Sequence, residues 1–462
     1  MRLTILALLL AISLSAVAQQ AATTPAKPDQ FDPTSIDRSV SPCDDFYKFA
    51  CGKWLAANPV PADQVWWGHD GPLELWNQTI LRDVLDKASA NDSKRSPVQQ
   101  KIGDYYFACM DEKGIAAADA KPLKPELQRI AAIKKKSDLA QEVAHLHLTI
   151  PGAWELSDAQ TRAAMFGLTG AQDFDNASRV VAFVDQGGMS MPGREFYLND
   201  DAKSVEIREK FQEHVRKMFA LAGENAKQAA DDAATVLAME TEMAKAAMDI
   251  VKRRDPANLN HKMTLAQIAE LAPSFNWKGY FSLVNAPSPE HYIVTSPDYF
   301  RGLEKMLNEH PLEHWKTYLR WWMLHGSARY LSADFEKEDF DFFRHALAGA
   351  EALQPRWRRC VDFVDRDLGE ALGQAYVDRA FPPASKQRTL EMVHAIEGAL
   401  SHDIQQLDWM SPQTKQQAAV KLKGIEDKIG YPNRWRDYSS VKVGRASFLE
   451  IKISTQCIYR VM

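Results

Sequence analysis

The chain has 462 residues, 45% of them hydrophobic and 25% charged, with a formal net charge of −5. This is globular composition, with length enough for one large domain or two smaller ones. A mildly acidic balance without a sustained basic stripe argues against nucleic acid as a partner.

The N-terminus, "MRLTILALLLAISLSAVAQQ", carries Arg2, then an apolar run from Leu3 to Leu14, then Ala16-Val17-Ala18. A charged start, a short apolar core and a small-x-small site make a secretory signal peptide over residues 1–18, with cleavage expected after Ala18. A membrane anchor needs about 20 apolar residues, and this run is shorter. No later segment is long and apolar enough, so no membrane span is expected after cleavage, and the location expected is secreted or periplasmic. Residues 19–36, rich in Pro, Thr, Ala and Gln, read as a flexible leader.

Export changes the meaning of the five cysteines, Cys43, Cys51, Cys109, Cys360 and Cys457, because in an oxidising compartment cysteines usually pair. "DDFYKFAC" reads as helix, with Phe46, Tyr47, Phe49 and Ala50 on one face and Gly52 closing it. A helical rise of roughly 1.5 Å per residue puts Cys43 and Cys51 about 12 Å apart. A disulfide needs Cα atoms within about 7 Å, so the two are not expected to bond each other while that segment is helical.

Helical periodicity then dominates. Leu139, Val143, Leu146 and Ile150 form one stripe, and Ile207, Phe211, Val215 and Met218 another, closed by Gly223. Residues 225–255 form an Ala- and Met-rich helix stopped by Pro256. Val393, Ile396, Leu400, Ile404 and Leu407 mark a further helix. Ser411-Pro412 opens one that carries Ala418, Leu422, Ile425 and Ile429 and ends at Gly430. These stripes read as core-forming faces. "AMFGLTG" and "RVVAFVD" read as a hairpin and "HYIVT" as a third strand, so the fold class expected is mainly α with one small β-sheet.

Chemistry-bearing motifs are few. "GGMSMPG" around Ser190 has Pro192 where a G-x-S-x-G elbow needs its second glycine. The zinc signature H-E-x-x-H does not occur. "NEHPLEHW" holds His310, Glu313 and His314 in the inverted order H-x-x-E-H. Pro311, however, prefers the first helical position, which makes His310 a cap whose ring need not face His314. The helix after it, with Leu312, Trp315, Leu319 and Trp322 in register, reads as core. His145 and His147, two apart, lie on different sides of a helix.

Several stretches together carry a family likeness: "DRSVSPCDDFYKFACGKWLAANPVPAD", "YYFACMDEKGI", "QGGMSMPGREFYL", "RWRRCVDFVDRDLGEALGQAYVDRAF", "LDWMSPQTKQQAAVKL" and "KIGYPNRWRDYSS". From about Asp37 to Ser440 the chain resembles the neprilysin and endothelin-converting-enzyme family of zinc metallopeptidases, in its bacterial secreted form. The resemblance implies a two-lobed, mainly helical fold around a cavity, zinc as cofactor and oligopeptides as substrates. Residues 37–440 would be the large helical N-terminal domain.

The catalytic elements of that family are not among these residues. The family's N-A-x-Y strand, its H-E-x-x-H and its downstream E-x-x-x-D are absent, and residues 441–462, ending in "LEIKISTQCIYRVM", diverge where the catalytic domain would begin. The expectation is therefore a truncated form, inactive alone, with no catalytic or metal-ligating residue and no cofactor of its own; zinc and peptide substrates belong to the complete enzyme. Two alternatives stand beside it, a non-catalytic peptide-binding or scaffold protein and a zinc hydrolase built on His310 and His314. Trp66 stands where some family members carry an arginine that contacts the carboxylate end of the substrate, so the resemblance does not extend to an exopeptidase-like preference. By resemblance, Cys109 pairs with Cys360, while Cys43 and Cys51 would find their partners in the catalytic lobe. In this chain Cys43, Cys51 and Cys457 are thus expected to be unpaired, the last in a tail that nothing holds.

Overall fold

The computed structural model describes residues 33–90, 92–150, 163–286 and 289–455. The signal peptide, most of the leader and Cys457 lie outside the described residues. The fold is mainly α with one small four-stranded sheet.

Two compact units are present. The first holds the described residues up to Pro61 together with Trp66–Asp83. Its Phe46–Ala57 helix starts at Asp45, whose carboxylate accepts from the Lys48 N–H at 2.8 Å. Gly52 does not close this helix: it lies inside, and Asn58 is the C-cap. Cys43 precedes the N-cap, so only Cys51 is on the helix. Phe46 and Tyr47 are 69% and 66% exposed, while the Asp37 N–H bonds the Phe49 carbonyl at 2.7 Å and the Trp54 ring lies against His69 at 4.2 Å.

The second unit holds Ala62–Val65 and the described residues from Val84 onward. The expected hairpin is there as β1 (Phe166–Gln172) and β2 (Val180–Gln186), antiparallel with Phe166 opposite Gln186. β3 (His261–Met263) gave no readable alternation in three residues. It pairs antiparallel with β4 (Tyr292–Val294), which runs parallel to β2, for a sheet order β1-β2-β4-β3.

Buried tyrosines tie this sheet to the helices. The Tyr299 hydroxyl reaches the carbonyls of Met165 and Gly187, and the Tyr318 hydroxyl joins the Met165 N–H at 2.8 Å to the Gly188 carbonyl at 3.0 Å. Gly188 has φ +73° and a Cβ there would stand 2.5 Å from the Met243 sulfur, so both backbone and space require glycine. Tyr318 belongs to the Leu312–Ser327 helix, which buries Trp315, Leu319 and Trp322. The Leu139–Thr149 and Ala202–Leu221 helices likewise bury their apolar stripes, and Gly223 takes φ +100°.

Three expectations are corrected. The Ala226–Ala246 helix stops well before Pro256, and Ile250–Arg253 is a separate turn. The Pro412–Lys423 helix, capped by Ser411 through the Thr414 N–H at 3.2 Å, ends before Ile425. The stripe of the Pro383–Gln406 helix is not core: Ile404 is buried, but Ile396 is 60% exposed and Leu400 46%, and in the following helix Val420 is 67% exposed. Periodicity reports a face; it does not report whether anything covers it.

The divergent tail is also held. Its Phe448–Thr455 helix packs on the Pro97–Met110 and Arg356–Ala380 helices. The Phe448 ring meets Tyr105, Tyr330 and Phe363 at 5.7, 5.3 and 5.8 Å, and Arg445 Nε donates to Asp104 at 2.7 Å. Lys452, 1% exposed, donates to the equally buried Asp367, which also accepts from the Tyr105 hydroxyl.

Candidate functional site

The second unit encloses a cavity of about 540 Å³, within the usual range for small-ligand sites. One wall is made where the Ala333–Asp339 helix runs without a break into a π-helical segment, Phe340–Ala346. The other is the start of the Arg356–Ala380 helix. Widening the helical turn brings Phe340, Phe343, Arg344 and Leu347 to the cavity together, and such π-helical turns recur at functional sites.

The carboxylates along this wall are committed to arginines. Asp339 accepts from Arg329 at 2.9 Å, Glu336 from Arg356 at 3.0 Å and also from Arg359, and Asp63 from Arg358 at 3.0 Å. The Arg329 charge lowers the Asp339 carboxyl against the burial that would raise it. Arg366 donates to the Tyr330 hydroxyl at 2.6 Å. No sequence motif flagged this cluster, because its members come from separate turns; the run of arginines in "RWRRC" was its one visible trace.

Ser190 lines the same cavity but is no nucleophile. Its hydroxyl donates to Glu240 Oε1 at 2.7 Å and accepts from Trp321 Nε1 at 2.8 Å, with no histidine beside it. Glu240 is fully buried and also accepts from Tyr197 at 2.6 Å and from the Ser190 N–H at 3.1 Å. Burial outweighs these donors and pushes its carboxyl up to about 7, from an ordinary 4.5. A carboxyl raised in the folded state stabilises fully below about pH 4.5, and that stability is lost as pH rises through about 7, a loss of about 3 kcal/mol. His147 runs the other way: burial lowers its ring to about 4, so its contribution is present above its ordinary 6.5 and is lost as pH falls toward 4. Glu240→Gln should therefore remove the share of the alkaline loss that this carboxyl carries, leaving that of Glu142 and Glu224, which burial also pushes up to about 7. Urea denaturation at pH 5 and pH 8 should show wild type losing roughly 2 kcal/mol more than the variant over this interval, since part of the loss is already present at pH 5; equal losses would place the Glu240 proton elsewhere.

The H-x-x-E-H pair differs from its expected placement. His310 is the C-cap of the Pro297–Glu309 helix, and Pro311 is the N-cap of the next one, not its first residue. The two rings do meet: His310 Nδ1 lies 3.1 Å from His314 Nδ1. His310 Nε2, on the opposite edge of the ring, lies 3.1 Å from Glu242 Oε2. One ion can bond only one nitrogen of a ring, so His314 and Glu242 address different points and give zinc no shared centre. The pair is a hydrogen-bonded chain.

Among the described residues, His394, Glu397 and Asp427 do offer ligand atoms within 4.8 Å of one another. His394 is exposed and already hydrogen-bonds Asp427 at 2.9 Å, which is an ordinary surface contact. His145 and His147 point apart, the first to Glu126 at 2.5 Å and the second to Tyr280 at 2.7 Å and the Ala164 carbonyl at 2.8 Å.

Cys109 and Cys360 are bonded, with Cα atoms 5.8 Å apart. Cys43 and Cys51 are free, the former exposed. Trp66 is 59% exposed. No helix among the described residues is long and apolar enough to cross a membrane.

Comparison with known proteins places this geometry. The family model described as Peptidase family M13 matches residues 42–432. Neprilysin-3 of Drosophila melanogaster is 30% identical over 413 residues, covering 86% of this chain and 52% of that protein. Endothelin-converting enzyme 1 of Homo sapiens is 28% identical over 405 residues, covering 87% and 51%. Among solved structures, the zinc metalloprotease ZMP1 of Mycobacterium tuberculosis in complex with inhibitor is similar with TM-score 0.83 and 29% identity, over 94% of this chain and 64% of that one. PEPO from Lactobacillus rhamnosis shares the fold at TM-score 0.75 and 18% identity, over 91% of this chain and 66% of that one. The chain spans about half the length of the curated relatives it matches.

Proposed function

The chain belongs to peptidase family M13, and from that premise we propose that it is the N-terminal helical region of an exported zinc metalloendopeptidase of oligopeptides, without the zinc chemistry in its own residues. What carries the reading is the coincidence of a match over residues 42–432 with a sequence that contains no H-E-x-x-H. In the complete family enzyme zinc supplies an activated water for peptide hydrolysis. His310 and His314 meet through their Nδ1 atoms without a third ligand beside those atoms among the described residues, so no step of hydrolysis is assigned to them. The signal-like N-terminus and a disulfide support export and a secreted or periplasmic location.

The purified chain should bind no stoichiometric zinc and cleave no peptide. Metal analysis after dialysis against zinc and a quenched-peptide assay test this. Cleavage abolished both by a chelator and by His314→Ala would overturn it and restore the H-x-x-E-H reading. A second reading, a non-catalytic peptide-binding protein, is favoured by the cavity beside the Phe340–Ala346 segment.

A further inference from the structure

Arg344 stands out in the cavity because no described residue neutralises it. Asp63, Glu336 and Asp339 each hold an arginine, and Arg366 has the Tyr330 hydroxyl and, at 3.6 Å, Asp367. Arg344 makes no ion pair and no side-chain hydrogen bond with any described residue, yet it is half-buried and lines the cavity. Burial, and then the neighbouring Arg329 charge, lower its guanidinium from the ordinary value. A half-buried guanidinium without a counter-charge can gain a charge-assisted bond from an incoming anion.

The surroundings select the anion. Four carboxylates and four arginines line the cavity, and with Asp63, Glu336 and Asp339 already held by arginines, Arg344 is left as a single positive charge to match, which suits a monoanion better than a dianion such as phosphate. A single carboxylate needs one planar guanidinium and matches its fork. The cavity lining also offers apolar surface, from Phe196, Phe340, Phe343, Leu347 and Leu353. Ala348 and Leu353 are exposed and leave the cavity open to solvent. We propose that this cavity binds a monocarboxylate with an apolar body, the carboxylate on Arg344 and the body against Phe340, Phe343 and Leu347. The site is independent of the zinc-peptidase reading, because it uses none of the zinc chemistry and is read by binding alone.

The probes are N-acetyl-phenylalanine, its amide and inorganic phosphate, titrated calorimetrically into the full chain. The acid should bind, and the amide and phosphate should bind roughly 10-fold more weakly or not at all, since a charge-assisted bond to Arg344 is lost or opposed. Arg344→Gln should weaken the acid by roughly 10-fold or more and leave the amide unchanged, while Arg344→Lys should retain part of the affinity. Because Arg344 has no partner among the described residues, Arg344→Gln should keep the wild-type unfolding midpoint, which separates lost binding from lost folding. Ala348→Trp, at an exposed lining position, should block acid and amide alike. Equal affinity for acid and amide, no binding of the acid, or an Arg344→Gln variant that binds the acid as wild type does would each overturn the assignment.

Discussion

Reducing the Cys109–Cys360 bond is expected to remove up to about 5 kcal/mol of stability, the value that loop-closure entropy gives for so long a loop before native-state strain is subtracted. The cysteines are 251 residues apart in sequence and both are fully buried. They join the Pro97–Met110 and Arg356–Ala380 helices at a point where Arg356 also donates twice to the Cys109 carbonyl, at 2.9 and 2.7 Å. Without the crosslink those bonds must hold two segments that the unfolded chain leaves free to separate. Globular proteins are stable by only about 5–15 kcal/mol, so the reduced chain should sit near its unfolding threshold. Urea denaturation with and without a reductant measures the loss. The double variant Cys109→Ser, Cys360→Ser should reproduce it and should no longer respond to reductant. An unchanged midpoint on reduction would show that helix packing alone carries this interface.

The second large effect is at Lys452. Its ammonium and the Asp367 carboxylate are each 1% exposed, so Lys452→Met leaves a charge buried without its main partner. Breaking a buried pair from one side costs about 3–5 kcal/mol. The expected loss lies toward the lower figure because Asp367 keeps the Tyr105 hydroxyl and Arg366 at 3.6 Å. Removing both charges in Lys452→Met, Asp367→Leu should recover much of the loss, since a well-packed apolar pair can replace a buried ionic one at little cost. Chemical denaturation of the two variants tests the sign, and limited proteolysis should cut near the Phe448–Thr455 helix in the single variant first. A single variant as stable as wild type would mean that the Lys452–Asp367 pair contributes nothing to the fold.

Local pattern was enough for much of the architecture. The helices 139–149 and 202–221 were legible because a 3.6-residue stripe is written within a few turns, and Gly223 marks its own end by adopting φ +100°. The β1–β2 hairpin was legible for the same reason at period two. Three-residue β3 was not, because it is a strand only by virtue of Met263 lying opposite Tyr292.

The candidate site was almost wholly illegible. Ser190 drew attention for its resemblance to an elbow, but its hydroxyl is held by Glu240, fifty residues on. Arg344 drew none, because an arginine in a helical run looks solvated until the π-helical turn sets it toward the cavity. Proline chemistry placed His310 outside the helix, yet the bend between two helices still brought its ring to His314.

The sequence by itself thus determined the helical character, the hairpin, the family and the absence of H-E-x-x-H, since each is carried by residues near one another in the chain. Tertiary structure alone decided which stripes are covered. The stripe at Ile396 and Leu400 is periodic but exposed, whereas that at Trp315 and Trp322 is buried. It also decided that Lys452, in a tail whose sequence promised no anchor, would meet Asp367, 85 residues earlier. Periodicity is a short-range property, while burial and charge pairing depend on which distant surface arrives, and the energy of a buried charge is set by that arrival alone.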